Sequence, residues 1–284
     1  MQCLNIIKMA NHYDTRVLQL RALQNLLAVD KVCREHNIRY YISDGTMLGA
    51  VRHGGFIPWD DDLDIVMPRP DYTRFIQHAN EWLPKPFEMV CPDNIPTYPG
   101  VFAKVIDGST TLIERWSFHQ LGGVYIDVFP LDGVPSNKLL RRLQLSAYKA
   151  VERWVYLRNR DPYKRGHGIS SWLPLFIQSI VSNAKLQQLM HKIQTLCDYD
   201  KAQLIAEFDD DERGVMRKGV FGNPTPVMFE GHEVLGVEKV KEYLSTLFGN
   251  YMELPPENKR RIHNFDYVDF DHSYHDYHDT RVFK

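Results

Sequence analysis

The segment GFIPWDDDLDIVM (55–67) places four carboxylates, Asp60, Asp61, Asp62 and Asp64, within five positions between two apolar stretches. An acidic run ordinarily lies in solvent, whereas a strand-like apolar run ordinarily lies in a core. On an extended strand side chains alternate, so Asp62 and Asp64 project to one face while Leu63, Ile65 and Met67 project to the other. Such a strand has one face on a core and the other lined by acid. Two like charges at adjacent same-face positions repel, and beside a low-dielectric wall this costs roughly several kcal/mol without a counter-charge. A divalent cation relieves the repulsion, and hard oxygen ligands suit Mg²⁺ or Mn²⁺. An EF-hand loop fits poorly: with Asp60, Asp62 and Asp64 as its first ligands it needs glycine where Ile65 stands and glutamate where Asp71 stands. A solvated acidic loop is the other alternative, and Pro58, Trp59 and the β-rich run argue against it.

The 284-residue chain is 44% hydrophobic and 25% charged, enough for one large domain or two modest ones with a real core. A net charge of −2 argues against a protein held on nucleic acid by bulk charge. Cys3, Cys33, Cys91 and Cys197 form no CxxC pair, which disfavours a zinc knuckle or disulfide framework and fits a reducing, cytoplasmic compartment. The opening MQCLNIIKMANHYD has no basic stretch followed by a sustained apolar run, so no signal peptide is expected. The longest apolar stretch, WLPLFIQSIV (172–181), is too short to span a bilayer and contains proline and glutamine. A buried or interfacial helix is the ordinary reading; peripheral contact with a membrane is the sharper one.

Helical spacing of Val17, Leu20, Leu23, Leu27 and Cys33 predicts an amphipathic helix from Tyr13 to about Asn37. IRYYIS (38–43), LDIVM (63–67), VFAKVID (101–107) and GGVYIDVFP (122–130) read as strands. Asp71 is placed to cap a helix over DYTRFIQHANEWL. Further on, Leu139, Leu140, Leu143, Ala147, Ala150, Val151 and Trp154 mark a long helix. Another covers roughly Trp172–Tyr199, and one more lies near Glu238–Phe248. The run DDDE (209–212) reads as a solvated turn. Strands concentrate early and helices late, which predicts an α+β fold. A mixed-sheet catalytic core with flanking helices occupies 1–135, and a mainly helical C-terminal part of the same domain occupies 136–284.

Two further features bear on the acidic strand. Asp127 stands alone among the apolar residues of VYIDVFP, where a carboxylate either meets solvent or serves a site. Beside the Asp62–Asp64 pair it completes a three-carboxylate cluster on neighbouring strands. Gly45 and Thr46 open GTMLGAVRHGG about 16 residues upstream, where a Gly-Thr step after a strand offers backbone N–H groups and a hydroxyl to a phosphate. Arg52 and His53 add positive charge close by.

This order of strand, Gly-Thr, helix, Asp-apolar-Asp and a later lone Asp resembles the nucleotidyltransferase superfamily of the polymerase β type. The longer strings GTMLGAVRHGGFIPWDDDLDIVMPRPDY, YIDVFPLDGVP and LFGNYMELPPENKRRIH resemble the LicD family. That family includes bacterial phosphocholine transferases and is related to the fukutin-type ribitol-phosphate transferases of eukaryotes. The resemblance covers roughly residues 25–265. It implies transfer of an alcohol phosphate, phosphocholine first among them, from a CDP-alcohol donor to a hydroxyl of a cell-surface glycan or its lipid-linked precursor, releasing CMP. It also implies a nucleotidyltransferase-like core and two Mg²⁺ or Mn²⁺ ions. Asp62, Asp64 and Asp127 become metal ligands and catalytic residues, and Gly45 and Thr46 the phosphate-binding turn. Asp60 is a further candidate ligand, with Asp61 in the same motif, and Arg52 and Lys104 are candidates for holding phosphate oxygens. Asp127 would also take the acceptor's proton. A surface salt bridge is the alternative for Arg52 and for Lys104.

A metal-dependent glycosyltransferase also uses Asp-x-Asp, but has no need of the upstream Gly-Thr turn or the lone Asp127. A non-catalytic binding relative is weighed against by the presence of all three expected carboxylates. Weaker signals remain open. Lys259, Arg260, Arg261 and His263 form either a solvated basic turn or a substrate-facing element. His272, His275 and His278 would chelate a metal if helical, though a flexible tail is the ordinary reading. Trp116, Trp154 and Tyr156 are either core residues or an aromatic cage for a choline cation.

Overall fold

The computed structural model describes residues 13–95, 98, 100–115, 119–160, 162, 168–260 and 265–278. Its helices are α1 (Thr15–Glu35), α2 (Asp44–His53), α3 (Arg69–Trp82), α4 (Lys138–Asn159), α5 (Ile169–Ile180), α6 (Asn183–Gln194), α7 (Lys218–Phe221) and α8 (Val240–Phe248). Its strands are β1 (Tyr41–Ile42), β2 (Asp64–Pro68), β3 (Phe87–Val90), β4 (Ala103–Arg115), β5 (His119–Val134), β6 (Leu204–Ala206), β7 (Val215–Arg217), β8 (Thr225–Phe229), β9 (His232–Gly236) and β10 (Phe265–Asp269). The fold is α+β, as the segregation of patterns predicts.

The main sheet runs β1-β2-β5-β4-β10, with β3 on β4 and β6 and β7 continuing from the far end of β5. Among the described residues only β2 and β5 pair in parallel, and that pairing sets Asp64 opposite Asp127. Leu63, Ile65, Val66 and Met67 are all fully buried. β2 therefore packs on both faces once past its acidic start, as an inner strand does. β4 and β5 run longer than their apolar stretches because each is the other's partner for most of its length. The β8–β9 hairpin turns at Glu230-Gly231, both with positive φ, the conformation such a turn demands.

Several expectations need correction. In α1 the buried stripe is Leu18, Ala22, Leu26, Val29 and Cys33, whereas Val17 and Leu20 face solvent. Asp71 does not cap α3: its carboxylate takes hydrogen bonds from the backbone N–H and guanidinium of Arg39 (3.3 and 2.7 Å). The expected helix over 172–199 is two, broken at Val181-Ser182, where the Ser182 hydroxyl caps α6. Beyond α6 the chain adds five short strands, and β6 and β10 return to the main sheet. The C-terminal tail is docked through Tyr277, whose ring lies 5.6 Å from that of Tyr267. Ser273 donates to the Gly108 carbonyl (2.6 Å), and Tyr274 and His275 both reach Glu88 (2.8 and 2.7 Å). His272 pairs instead with Asp269 at 2.9 Å, so the three histidines do not converge. Trp154 and Tyr156 are exposed rather than core, and Trp116 lies outside the described residues. No helix among the described residues is long and apolar enough to cross a membrane.

Candidate active site

A cleft of about 280 Å³ opens at the acidic end of β2, lined by Asp44, Gly45, Asp60, Asp62, Asp64, Asp210, Arg213, Leu247 and Phe248. Its floor is built from the N-terminus of α2 and the loop that enters β2. The two are tied together: the Ser43 amide donates to the Asp64 carbonyl (3.0 Å), and the Asp64 amide donates to the Thr46 hydroxyl (2.9 Å). Thr46 thus pins the first residue of β2, a duty the sequence does not reveal. The Gly-Thr step is the first turn of α2, whose leading amides have no partner within the helix and attract anions. Gly45 leaves room there for Asp60, since a Cβ would fall 2.8 Å from Asp60 Oδ2 and push that carboxylate aside. Asp44 holds a positive φ of 46°, uncommon for a residue with a side chain, while its amide donates to the Tyr243 hydroxyl (3.0 Å).

The DDD run divides by side chain. Asp61 is 4% exposed and accepts a 2.9 Å hydrogen bond from the Tyr13 hydroxyl, so it anchors the loop to the start of α1. Gln19 reinforces this anchor from α1 by donating to the carbonyls of Asp60 (2.7 Å) and Ile57 (3.4 Å). Asp60 and Asp62 line the cleft on either side of it. Phe56 and Ile57, the apolar lead-in, are buried and fix where the acidic loop leaves the core.

Asp127 lies one strand over, 8% exposed and outside the cleft lining. The ammonium of Lys104 stands 3.1 Å from Asp127 Oδ1 and 3.0 Å from Glu114, and lies 3.2 Å from the centroid of the Tyr125 ring. Lys104 is 3% exposed, so it is neither a surface salt bridge nor, in this arrangement, open to a phosphate. Burial pushes the Asp127 carboxyl up to about 6, against the pull of Lys104 and helped by Glu114 and Asp62. Burial and the charges of Asp62, Asp127, Asp44 and Asp60 push Asp64 far above the usual carboxylate range. Arg52 donates to the carbonyls of Tyr251 (3.0 Å) and Glu253 (3.4 Å), holding the loop after α8 against α2 rather than lining the cleft. Arg260 stacks 4.3 Å over Trp59, whereas Arg261 and His263 lie outside the described residues.

The opposite wall was not foreseen. Asp210, in the DDDE run expected to be solvated, lines the cleft, and its neighbour Asp209 accepts a 3.1 Å hydrogen bond from Tyr148 of α4. Asp44, Glu207 and Asp210 each bring a carboxylate oxygen within 4.8 Å of the others, and Asp60, Asp61 and Asp62 do the same. The expected trio of Asp62, Asp64 and Asp127 is not so close, and a cation bridging it needs those side chains to draw in. Burial and Asp210 raise the Asp44 carboxyl to about 8, and burial with Asp44 raises Glu207 strongly. Arg213 is the cation that lines the cleft, 3.8 Å from Asp210. The only hints of this wall in the sequence are the aspartate before Gly45 and the basic residue closing DDDER.

This donor set suits a hard divalent cation. Its oxygens are crowded and like-charged, and one of them, Asp44 Oδ2, is buried and accepts no hydrogen bond.

Residues 37–153 match the protein family described as LicD/FKTN/FKRP, nucleotidyltransferase domain. The chain is 29% identical over 259 residues to the lipopolysaccharide cholinephosphotransferase LicD of Haemophilus influenzae, an alignment covering 88% of this chain and 95% of that protein. It is 45% identical over 47 residues to the human ribitol 5-phosphate transferase FKRP, covering 16% of this chain and 10% of that one.

Proposed function

We propose, from the LicD-type nucleotidyltransferase domain matched at residues 37–153 and the likeness to LicD over most of the chain, that this protein transfers an alcohol phosphate, phosphocholine first among the candidates, from a CDP-alcohol to a glycan hydroxyl. The acceptor is a cell-surface glycan or its lipid-linked precursor, the product CMP, and the site of action cytoplasmic. The observation that carries this reading is the cleft itself, where Asp60, Asp62 and Asp64 face the N-terminus of α2 across a space of about 280 Å³.

When bound, Mg²⁺ or Mn²⁺ would neutralise the donor's diphosphate and polarise the acceptor hydroxyl. Asp62 and Asp64, with Asp60 beside them, would hold one ion, and Asp127 would support the same set from β5. Gly45 and the first turn of α2 would receive phosphate oxygens through backbone amides. Arg213, on the opposite wall, is placed to meet phosphate charge in the role the sequence suggested for Arg52 and Lys104. Asp127 is proposed as the acceptor of the hydroxyl proton. A carboxyl near 6 takes a proton more readily than an ordinary aspartate while still being ionised near neutrality. Lys104 would then orient it and set its basicity.

The test is incubation with a panel of CDP-alcohols (choline, ethanolamine, ribitol, glycerol) with Mg²⁺ or Mn²⁺ and lipid-linked or free glycan acceptors, reading CMP and transferred phosphate. Release of CMP that is lost in Asp62→Asn and Asp64→Asn supports the proposal. Turnover of nucleotide-sugars in place of CDP-alcohols would move the assignment to a glycosyltransferase. If Asp127→Asn kept turnover within a few-fold of wild type while cation binding persisted, its role as base would be withdrawn.

A further inference from the structure

Helix α5 is inside-out. Its one strongly polar side chain, Gln178, points inward and donates to the carbonyls of Arg158 (2.9 Å) and Arg160 (3.2 Å). Most of its apolar side chains face outward, with Pro174 and Ile177 buried: Ile169 is 84% exposed, Trp172 71%, Leu173 55%, Phe176 60% and Ile180 49%. The helix carries no charged residue. A helix packed against a protein and facing water ordinarily shows the reverse arrangement. The neighbouring α4 repeats the inversion. Its periodic apolar stripe, from Leu139 and Leu143 through to Trp154, is exposed, while Gln144, Leu145, Tyr148 and Val155 on the other side are buried.

The surroundings say what covers these faces. Residues 136–197 contain eleven Lys and Arg against two Asp and Glu, a net of +9 in a chain whose total is −2. No acid occurs between Asp161 and Asp198. Lys185 and Lys192 of α6 and Arg153 of α4 are exposed. The three helices form one unit: the Asn159 and Asn183 side chains exchange hydrogen bonds (3.0 and 2.8 Å), and Gln144 donates to the Ile193 carbonyl (2.7 Å). Exposed aromatic and aliphatic side chains set among cations match an anionic lipid surface. Such a surface takes the apolar face into its acyl boundary and the cations at its headgroups. A second copy of this chain would instead bring two faces carrying exposed Arg153, Lys185 and Lys192 together, and that repulsion opposes self-association.

We propose that α4–α6 form a membrane-docking face on which the chain lies peripherally against anionic lipid, with α5, about 18 Å long, lying in the plane of the interface. The inference rests on exposure and charge, and stands whichever donor the cleft accepts. α4 also touches the cleft wall, since Tyr148 and Lys149 both bind Asp209, next to Asp210.

The full chain should co-sediment with vesicles of equal phosphatidylglycerol and phosphatidylcholine, and bind pure phosphatidylcholine at least about 10-fold more weakly. Trp172→Glu with Phe176→Glu should cost about 10-fold or more in vesicle affinity, as should Lys185→Glu with Lys192→Glu. Both pairs are exposed, so circular dichroism and melting should match wild type. Met228→Glu, an exposed apolar change on the separate β8–β9 hairpin, should leave binding unchanged. Absence of binding to the anionic vesicles would overturn the proposal, as would full binding by folded Trp172→Glu/Phe176→Glu protein. Light scattering that showed a dimer abolished by that same pair would also overturn it, assigning the face to a second copy.

Discussion

Raising the pH of the cation-free protein should lower its thermal stability, and Mn²⁺ or Mg²⁺ should restore it. Asp127 sits at about 6 in the fold against its ordinary 3.8, Asp44 sits at about 8, and Asp64 and Glu207 are pushed up with them. A carboxyl whose folded value exceeds its unfolded one stabilises the fold while it holds its proton. That contribution is complete below the unfolded value and is lost as pH rises through the folded one. For Asp127 alone the loss is about 3 kcal/mol at about 1.4 kcal/mol per pH unit, spread between about pH 4 and pH 6. Asp44 continues the loss to about pH 8. At about 2 °C per kcal/mol for a chain this long, Asp127 by itself accounts for about 6 °C in Tm. A cation present at about 100 times its Kd returns about 2.7 kcal/mol where the carboxylates are ionised, and little where protons already occupy them. The assay is differential scanning fluorimetry, with chelator or with Mn²⁺, at about pH 5 and about pH 8. Asp64→Asn removes one charge from the cluster, so its cation-free form should melt above wild type at the higher pH while its cation response shrinks. Equal cation responses at the two pH values would refute the reasoning, as would a cation-free Asp64→Asn that melts below wild type at about pH 8.

Lys104→Met should destabilise the protein by about 3–5 kcal/mol in denaturant melts, because it leaves Glu114 and Asp127 as buried charges without their shared partner. A loss under about 1 kcal/mol would mean that the pair is solvated rather than buried. Gly45→Ala should leave the fold intact and cut turnover at least about 10-fold, because the added Cβ would fall 2.8 Å from Asp60 Oδ2 and push that carboxylate aside. Steady-state kinetics at saturating cation checks this, and wild-type turnover in the folded variant would show that Asp60 has no place in the chemistry.

The acidic motif was legible because its chemistry is local. Alternation puts Ile65 and Met67 opposite Asp64 and the structure buries both, although Asp62 lies in the loop before β2 and Val66, on the Asp64 face, is buried too. The long strands and helices were legible for the same reason: periodicity is a property of neighbouring residues. What periodicity does not say is which way a stripe faces. The apolar stripe of α4 reads as core in sequence, yet Leu139, Leu143 and Trp154 are exposed and Leu145, Tyr148 and Val155 are buried. The short strands β6 to β9 were missed because each has only three to five residues and owes its place to its partner.

By itself, the sequence determined that this chain is α+β and that an acidic run leads into a strand some way after a Gly-Thr step. Those features depend on residues a few positions apart. Tertiary structure alone decided that Asp61 anchors the loop through Tyr13 while Asp60 and Asp62 face the cleft, and that Lys104 belongs to Asp127 rather than to a ligand. It alone brought Asp210 and Arg213 across from a distant turn to form the second wall. The role of a charge is set by what surrounds it, since burial and neighbouring charges decide whether it pairs, stays protonated or waits for a cation. Those neighbours come from different elements, 48 residues apart for Tyr13 and Asp61 and more than a hundred for Asp44 and Asp210, and only the folded chain brings them together.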